Sequence, residues 1–315
     1  MMHTQSIREK AGQGGTESIA LIGFGNWGTA LAAGLCKAGI PVHEIVVRRL
    51  QDSDRRRARK LCAQLVTLAG EGRYAAKLDA DILWICTPDA AIATTAAALA
   101  RRGLGRSRPI VLHSSGALAS TELAAVREAG ASVASVHPLM SFPRRVAASL
   151  EHVPFAVEGD ARAVRAATRI VRKIGGEAFS IRTEDKTIYH AFGAFASPLV
   201  TALLTASLAA GRAAGLSQTD AMRRMQPIVE RTVANFFVQG AAKSLSGPVA
   251  RGDVATVARH LAALEAQPEL AELREIYRAL QTFAVTALPG KQKAALRKVL
   301  CDGRHLSHIS PQKHE

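Results

Sequence analysis

The feature that most constrains this chain is Gly23-Phe24-Gly25-Asn26-Trp27-Gly28, a G-x-G-x-x-G string. It stands directly after the apolar run 18–22 and directly before a helical stretch closed by Gly39. A short buried strand, a glycine turn and a helix N-terminus are the parts of a dinucleotide site. In that arrangement Gly23 permits the turn, Gly25 lets backbone approach a pyrophosphate, and Gly28 lets the helix pack against the strand. Phe24, Asn26 and Trp27 complete the candidate cofactor loop. Thr87 and Pro88, at the end of another apolar strand, are expected to border the nicotinamide side of the same cleft.

Strand and helix signals alternate up to about residue 182. Strands are expected at 42–47, 81–86, 109–113, 132–136, 154–158 and 177–181. Helices are expected at 53–68, 90–101, 120–129 and 160–173. The alternation predicts an α/β fold, a doubly wound parallel sheet with helices on both faces. Beyond 182 helix signals dominate. Thr183 is the expected cap of a long helix bent at Pro198 and reaching about 214. Ser217 and Asp253 are expected caps of helices 218–239 and 254–266, followed by 269–287. The organisation predicted is a fraying tail 1–17, a dinucleotide-binding domain 18–182, a helical domain 183–302 and a second tail 303–315.

The second strand ends in Arg48-Arg49, where an NAD site would carry an acid for the ribose hydroxyl, although Asp52 and Asp54 are near. Guanidinium groups suit a 2′-phosphate, so NADP(H) is the expected cofactor. The formal net charge of +15 agrees with an anionic ligand without choosing one. It also admits a second function class, a dinucleotide-sensing or nucleic-acid-binding regulator without turnover, with the basic run 55–60 as its surface. No aromatic interleaving, helix-turn-helix or zinc module supports nucleic-acid binding. With hydrophobic residues at 48% and aromatics at 4%, a sizeable core must come mainly from Ala, Leu, Val and Ile. The N-terminus lacks a secretory apolar stretch, no uninterrupted apolar run reaches membrane-spanning length, and the four scattered cysteines form no C-x-x-C pair. A cytoplasmic protein with no membrane partner is expected. His305, His308 and His314 lie in a tail without neighbouring metal ligands, and no metal site is expected.

Three segments carry candidate chemistry. Ser114 and Ser115 follow a strand and can anchor a substrate carboxylate or carbonyl. His137, in Ser135-Val-His-Pro138, can donate a proton or orient substrate. Lys186 and His190 open the long helix and project with Ser197 onto one face. A lysine beside an imidazole on an apolar helix is a candidate acid–base pair. Arg251, in a turn between helices, is a further possible anion clamp.

Taken together, GFGNWG, HSSGAL, SVHPLMSF, EDKTIYHA and SGPVARGDVATVARHL, in that order, resemble an uncharacterised bacterial family with a Rossmann-like N-terminal domain and a C-terminal domain of unknown function. The resemblance spans residues 18 to about 285. It implies an NADP oxidoreductase related to the 6-phosphogluconate and 3-hydroxyisobutyrate dehydrogenases, pyrroline-5-carboxylate reductase and deazaflavin-dependent NADP reductases. It also implies a helical C-terminal domain that makes a homodimer and closes over the nicotinamide. The hydroxyacid branch carries a catalytic lysine where Lys186 stands, but an amide residue where this chain has His190. The His137-Pro138 exit is similar to a segment of prephenate dehydrogenases. The expected activity is hydride transfer to or from a small anionic carbonyl, imine or hydroxy compound. Lys186 or His190 would handle the proton.

Overall fold

A computed structural model describes residues 17–60, 64–69, 73–74, 78–104 and 108–301. The expected tails, Cys62 and the three tail histidines lie outside these residues, apart from Glu17. The chain separates into two compact units, residues 1–197 and 198–315.

In the first unit the strands are β1 (Ile19–Ile22), β2 (Val42–Val47), β3 (Gln64–Ala69), β4 (Arg73–Tyr74), β5 (Ile82–Ile85), β6 (Ile110–His113), β7 (Ser132–Pro138), β8 (Pro154–Gly159) and β9 (Glu177–Ser180). Its helices are α1 (Asn26–Lys37), α2 (Asp52–Lys60), α3 (Ile92–Arg102), α4 (Ala124–Glu128), α5 (Ala161–Lys173) and α6 (Lys186–Ala196). They form one nine-stranded sheet in the order β4-β3-β2-β1-β5-β6-β7-β8-β9. The order runs outward from β1 in both directions, so β1 and β5 flank the topological switch point, where open α/β sheets bind ligands.

Alternation along β1 shows how both faces are used. Ile19 and Leu21 join a core with Leu31 and Leu35 of α1 and Ala163, Ile170 and Val171 of α5. Ala20 and Ile22 join the opposite core, with Ile92, Ala96 and Leu99 of α3 and Val126 of α4. Strands buried on both faces read as continuous apolar runs, as Ile19–Ile22 and Ile82–Ile85 do.

Three expectations need correction. Residues 64–69 are a strand, not the end of a helix. The Gln-Leu-Val-Thr-Leu-Ala segment pairs parallel with β2, and tertiary pairing overrides the helical reading of the basic stretch before it. The sheet is not wholly parallel, because β8 runs antiparallel to β7 and β4 antiparallel to β3. The long helix is broken rather than bent: Ser197 leaves helical geometry (φ −133, ψ −80) between α6 and the next helix. Pro198 accounts for this, because proline disfavours helical backbone in the residue before it. α6 belongs with the sheet, which moves the unit boundary from 182 to 197.

The second unit consists of α7 (Pro198–Ala213), α8 (Gln218–Gln239), α9 (Ala241–Ser244), α10 (Pro248–Arg251), α11 (Val254–Glu265), α12 (Ala271–Ala287) and α13 (Lys293–Cys301). Ser217 and Asp253 cap α8 and α11 by accepting from the Asp220 and Thr256 amides at 3.1 and 3.0 Å. Val249, Val257, Leu261, Val285, Leu296 and Leu300 form its core.

Candidate active site

The glycine loop is built from backbone. Gly23 adopts φ +111, and a Cβ there would lie 2.6 Å from the Cys86 carbonyl oxygen at the end of β5. A Cβ on Gly28 would lie 2.3 Å from the Gly23 carbonyl oxygen. A Cβ on Gly25 would meet nothing within 4 Å. Two glycines are therefore required by packing, while the third leaves open space at the N-terminus of α1, where amides and the helix dipole attract phosphate. These residues fit a dinucleotide pyrophosphate. Asn26 and Trp27 are turned elsewhere. Asn26 Nδ2 donates to the Phe142 carbonyl at 2.7 Å, and the Trp27 ring packs 5.0 Å from Phe142 and 6.0 Å from Phe155. Phe24 is buried. Arg48 and Arg49 are exposed at the end of β2.

Beside the loop lies a cavity of about 220 Å³ lined by Trp27, Thr87, Ser114, Ser115, His137 and Phe142, among others. Trp27 Nε1 and Thr87 Oγ1 are buried there without a hydrogen-bond partner. Two unpaired polar groups on one cavity are what a polar ligand would satisfy. Pro88 is exposed and starts the short turn that presents Asp89. Asp89 also lines the cavity and accepts from Ser115 Oγ at 2.8 Å. Ser115 in turn accepts from the Leu118 amide, and Ser114 Oγ accepts from Trp84 Nε1 at 2.8 Å. Both serines thus have local bonds as well as a place on the cavity.

Behind this wall runs a row of cross-strand partners, Ile22, Ile85, His113, Ser135 and Glu158. Its apolar half belongs to the core and its polar half meets α6. Lys186 is 1% exposed, and its ammonium donates to Ser135 Oγ at 2.5 Å. Glu158 is buried, accepting from the Ser120 amide and hydroxyl and from Thr183 Oγ1 at 2.9 Å. Thr183 therefore anchors to the sheet and does not cap α6, which starts with no side-chain cap.

Burial lowers Lys186 to about 8, opposed by the carboxylates of Glu158 and Asp89. His113 and His137 are each lowered to about 4, first by burial and then by the Lys186 charge. Burial raises Cys86, at the cavity edge, well above the ordinary thiol range, so it is no nucleophile.

The three imidazoles are not equivalent. His113 is fully buried, with Nε2 3.1 Å from the Ala119 carbonyl and Nδ1 accepting from the Ser115 amide. His137 lines the cavity, with Nδ1 3.2 Å from the Tyr189 hydroxyl. His190 is exposed and meets His137 edge-on at 6.2 Å. Gly116 packs between the last two: a Cβ there would lie 2.5 Å from His190 Cδ2 and 2.7 Å from His137 Nε2.

Lys186, His137, His190 and Ser115 are thus brought into one cluster. Of the catalytic candidates His137 and the two serines line the cavity, whereas Lys186 bonds to Ser135 behind them. Sequence reasoning passed over His113, Ser135, Tyr189, Glu158 and Asp89. Four of the five were inside or beside quoted motifs, but nothing in the letters marked their contacts. Among the described residues Ser197 takes no part in this cluster, and Arg251 belongs to the second unit.

Residues 6–138 match the family model of a Rossmann-like domain, and residues 153–283 match the domain of unknown function DUF2520. The chain is a Rossmann-like domain joined to a DUF2520 domain. No curated protein matches this Rossmann–DUF2520 chain significantly. Solved structures do. A Bacteroides fragilis protein, BF3122, named provisionally as an NADP oxidoreductase, is 18% identical with a TM-score of 0.65, over 84% of this chain and 96% of its own. Protein TM1727 of Thermotoga maritima is 22% identical with a TM-score of 0.64, over 90% and 98%. A pyrroline-5-carboxylate reductase of Coxiella burnetii is 16% identical with a TM-score of 0.53, over 90% and 98%. At these identities the likeness establishes the fold of the Rossmann–DUF2520 chain.

Proposed function

We propose that this protein is an NADP(H)-dependent oxidoreductase acting on a small anionic carbonyl, imine or hydroxy compound. The observation that carries the reading is the adjacency, at the switch point, of an open glycine cradle and a cavity with unpaired polar atoms and the His137 imidazole. The names of BF3122 and the Coxiella reductase support the same direction, since one specifies NADP and the other a carboxylated cyclic imine.

NADP(H) supplies or accepts the hydride when bound. The chain's part is to hold a proton and fix the substrate. Tyr189, raised to about 12 by burial, stays protonated and can donate to His137 Nδ1. That tautomer places the proton on Nε2, at the edge kept clear by Gly116. His137 Nε2–H then hydrogen-bonds the substrate nitrogen or oxygen as a neutral donor, and the proton taken up by that atom comes from solvent. Ser114 and Ser115 hold substrate on the cavity wall. Burial first, and the Lys186 charge second, keep the imidazoles neutral, and Lys186, bonded to Ser135 of β7, is a positioning residue in this arrangement.

The test is NADPH oxidation over a panel of small imino and 2-oxo carboxylates. Turnover that disappears in His137→Asn, with NADPH affinity retained, is expected. NADPH binding with no turnover across the panel would instead favour the sensor reading.

The active form is proposed as a homodimer through the helical domain. Ile228, Phe237 and Val238 of α8 are largely exposed, the last two at 81% and 85%. A second copy would cover them. Within Thr183–Ala213 an 18-residue window has mean hydropathy 1.6, apolar enough to cross a bilayer. However, α6 is pinned to the sheet by Lys186, and α7 alone, at 16 residues, is shorter than the ~20 a span needs. Light scattering should give twice 33.4 kDa; a monomer mass would refute the dimer.

A further inference from the structure

Among the described residues, the proposed chemistry leaves one fixed cation beside the glycine loop without a role. Arg57, on α2, lays its guanidinium over the Phe24 ring, 4.8 Å from the centroid. Its Nη2 lies 3.5 Å from the Phe24 carbonyl oxygen and also pairs with Asp54 Oδ1. Arg57 Nε is buried and has no partner. The neighbouring cations Arg55, Arg56, Arg59 and Lys60 are exposed, as are Arg48 and Arg49.

Asp54 explains how Arg57 is held. Its carboxylate is buried, with Oδ2 accepting from the Gln51 amide at 3.2 Å and Oδ1 committed to Arg57. An acid near the end of β2 is the group that could receive a ribose hydroxyl. Here that acid already serves a guanidinium, and using it for ribose would release Arg57. The same pair removes an acceptor and supplies a donor.

We propose that Arg57, positioned by Asp54 and Phe24, is the residue that selects a 2′-phosphorylated adenosine over the plain nucleotide. The inference rests on the reading of the loop as a dinucleotide site. With Nη2 engaged by Asp54 and the Phe24 carbonyl, the stacked guanidinium is held in one plane and its unpartnered Nε–H is the donor left to offer a phosphate oxygen. Arg48 and Arg49, unrestrained at the surface, add attraction but lose more side-chain freedom on contact. Preference for the phosphorylated ligand thus depends on the one arginine whose geometry is set before binding.

The experiment is calorimetric titration of the full chain with 2′,5′-ADP and with AMP, which need no turnover and no nicotinamide. The unmodified protein should bind 2′,5′-ADP about tenfold or more tightly than AMP, as expected for hydrogen bonds to a charged group. Arg57→Met should remove about 10- to 100-fold of affinity for 2′,5′-ADP and leave AMP within about twofold. Asp54→Asn should give a smaller loss in the same direction, and Arg57→Lys a partial recovery. Arg57→Met weakening both ligands equally would show a structural role for Arg57 and overturn the proposal. Retention of the full preference in Arg57→Met would overturn it too and assign the selection to Arg48 and Arg49. If the unmodified protein binds neither ligand, the dinucleotide reading itself fails, a result distinct from either of these.

Discussion

The glycine loop and the Lys186 cluster lie in the same sheet unit and are made in opposite ways. The loop is six consecutive residues whose geometry comes from backbone: two glycines that tolerate no Cβ and one that opens onto space. The cluster takes His113, Ser135, Glu158 and Lys186 from three strands and a helix and is held by side chains. A backbone site is indifferent to most charges around it. A side-chain site is coupled, so that changing one charge shifts its neighbours. Mutations in the loop should therefore change binding without altering pH behaviour, and mutations in the cluster should do the reverse.

The largest effect is expected at His137 and Lys186. His137→Asn should lower turnover by ~10²–10³, the usual worth of one positioned donor, and Lys186→Met, which acts through Ser135, should lower it less, while NADPH affinity changes little in both. A Lys186→Met protein that loses both equally would erase the distinction between the two regions. Next comes the loop. Gly28→Ala should abolish dinucleotide binding or folding, because its Cβ would collide with the Gly23 carbonyl. Gly25→Ala should melt within a few degrees of the unmodified protein yet bind NADPH about 10-fold or more weakly, since its methyl enters the space offered to phosphate. Equal melting losses in both variants would contradict the loop geometry.

A smaller effect concerns stability against pH. His113 takes up a proton near 6.5 when unfolded and only near 4 when folded. The unfolded chain binds more protons between those values, so stability is full above about pH 7 and falls as pH drops through that window. For His113 the loss approaches roughly 3 kcal/mol at the acid end. Melting followed from pH 7 to 5, above the carboxylate range, should show it, and His113→Asn should reduce the slope by about half, because His137 is lowered to about 4 as well. The smallest expected effect is spectroscopic: Lys186→Met should raise His137 from about 4 only part of the way to 6.5, because burial remains the larger cause. Imidazole NMR would read the shift, and an unmoved His137 would remove Lys186 from its environment.

Legibility follows the same division. The loop, the first strands and the caps at Ser217 and Asp253 were readable because each depends on neighbours within a few positions. The 64–69 strand was not, since pairing with β2 decides it. Nor was the reversal at β8, which sets Glu158 opposite Ser135. Lys186 stood out as a lysine on an apolar helix, and it is buried, but its direction was misjudged. The letters carry no information that its ammonium ends on Ser135 rather than on the cavity. Thr183 looked like a cap because caps are local, and it became an anchor because Glu158 lay within reach.

The bond from Asn26 to the Phe142 carbonyl, with Trp27 against the Phe142 ring, has a kinetic consequence. The first turn of α1 is where the phosphates are proposed to sit, and Phe142 walls the cavity, so the bond ties the two places mechanically. The catalytic cycle should accordingly be ordered, with the nucleotide entering before the second reactant and leaving after the product. Product-inhibition patterns would display that sequence. Asn26→Ala, which cuts the connection while sparing the cradle, should turn it into random addition.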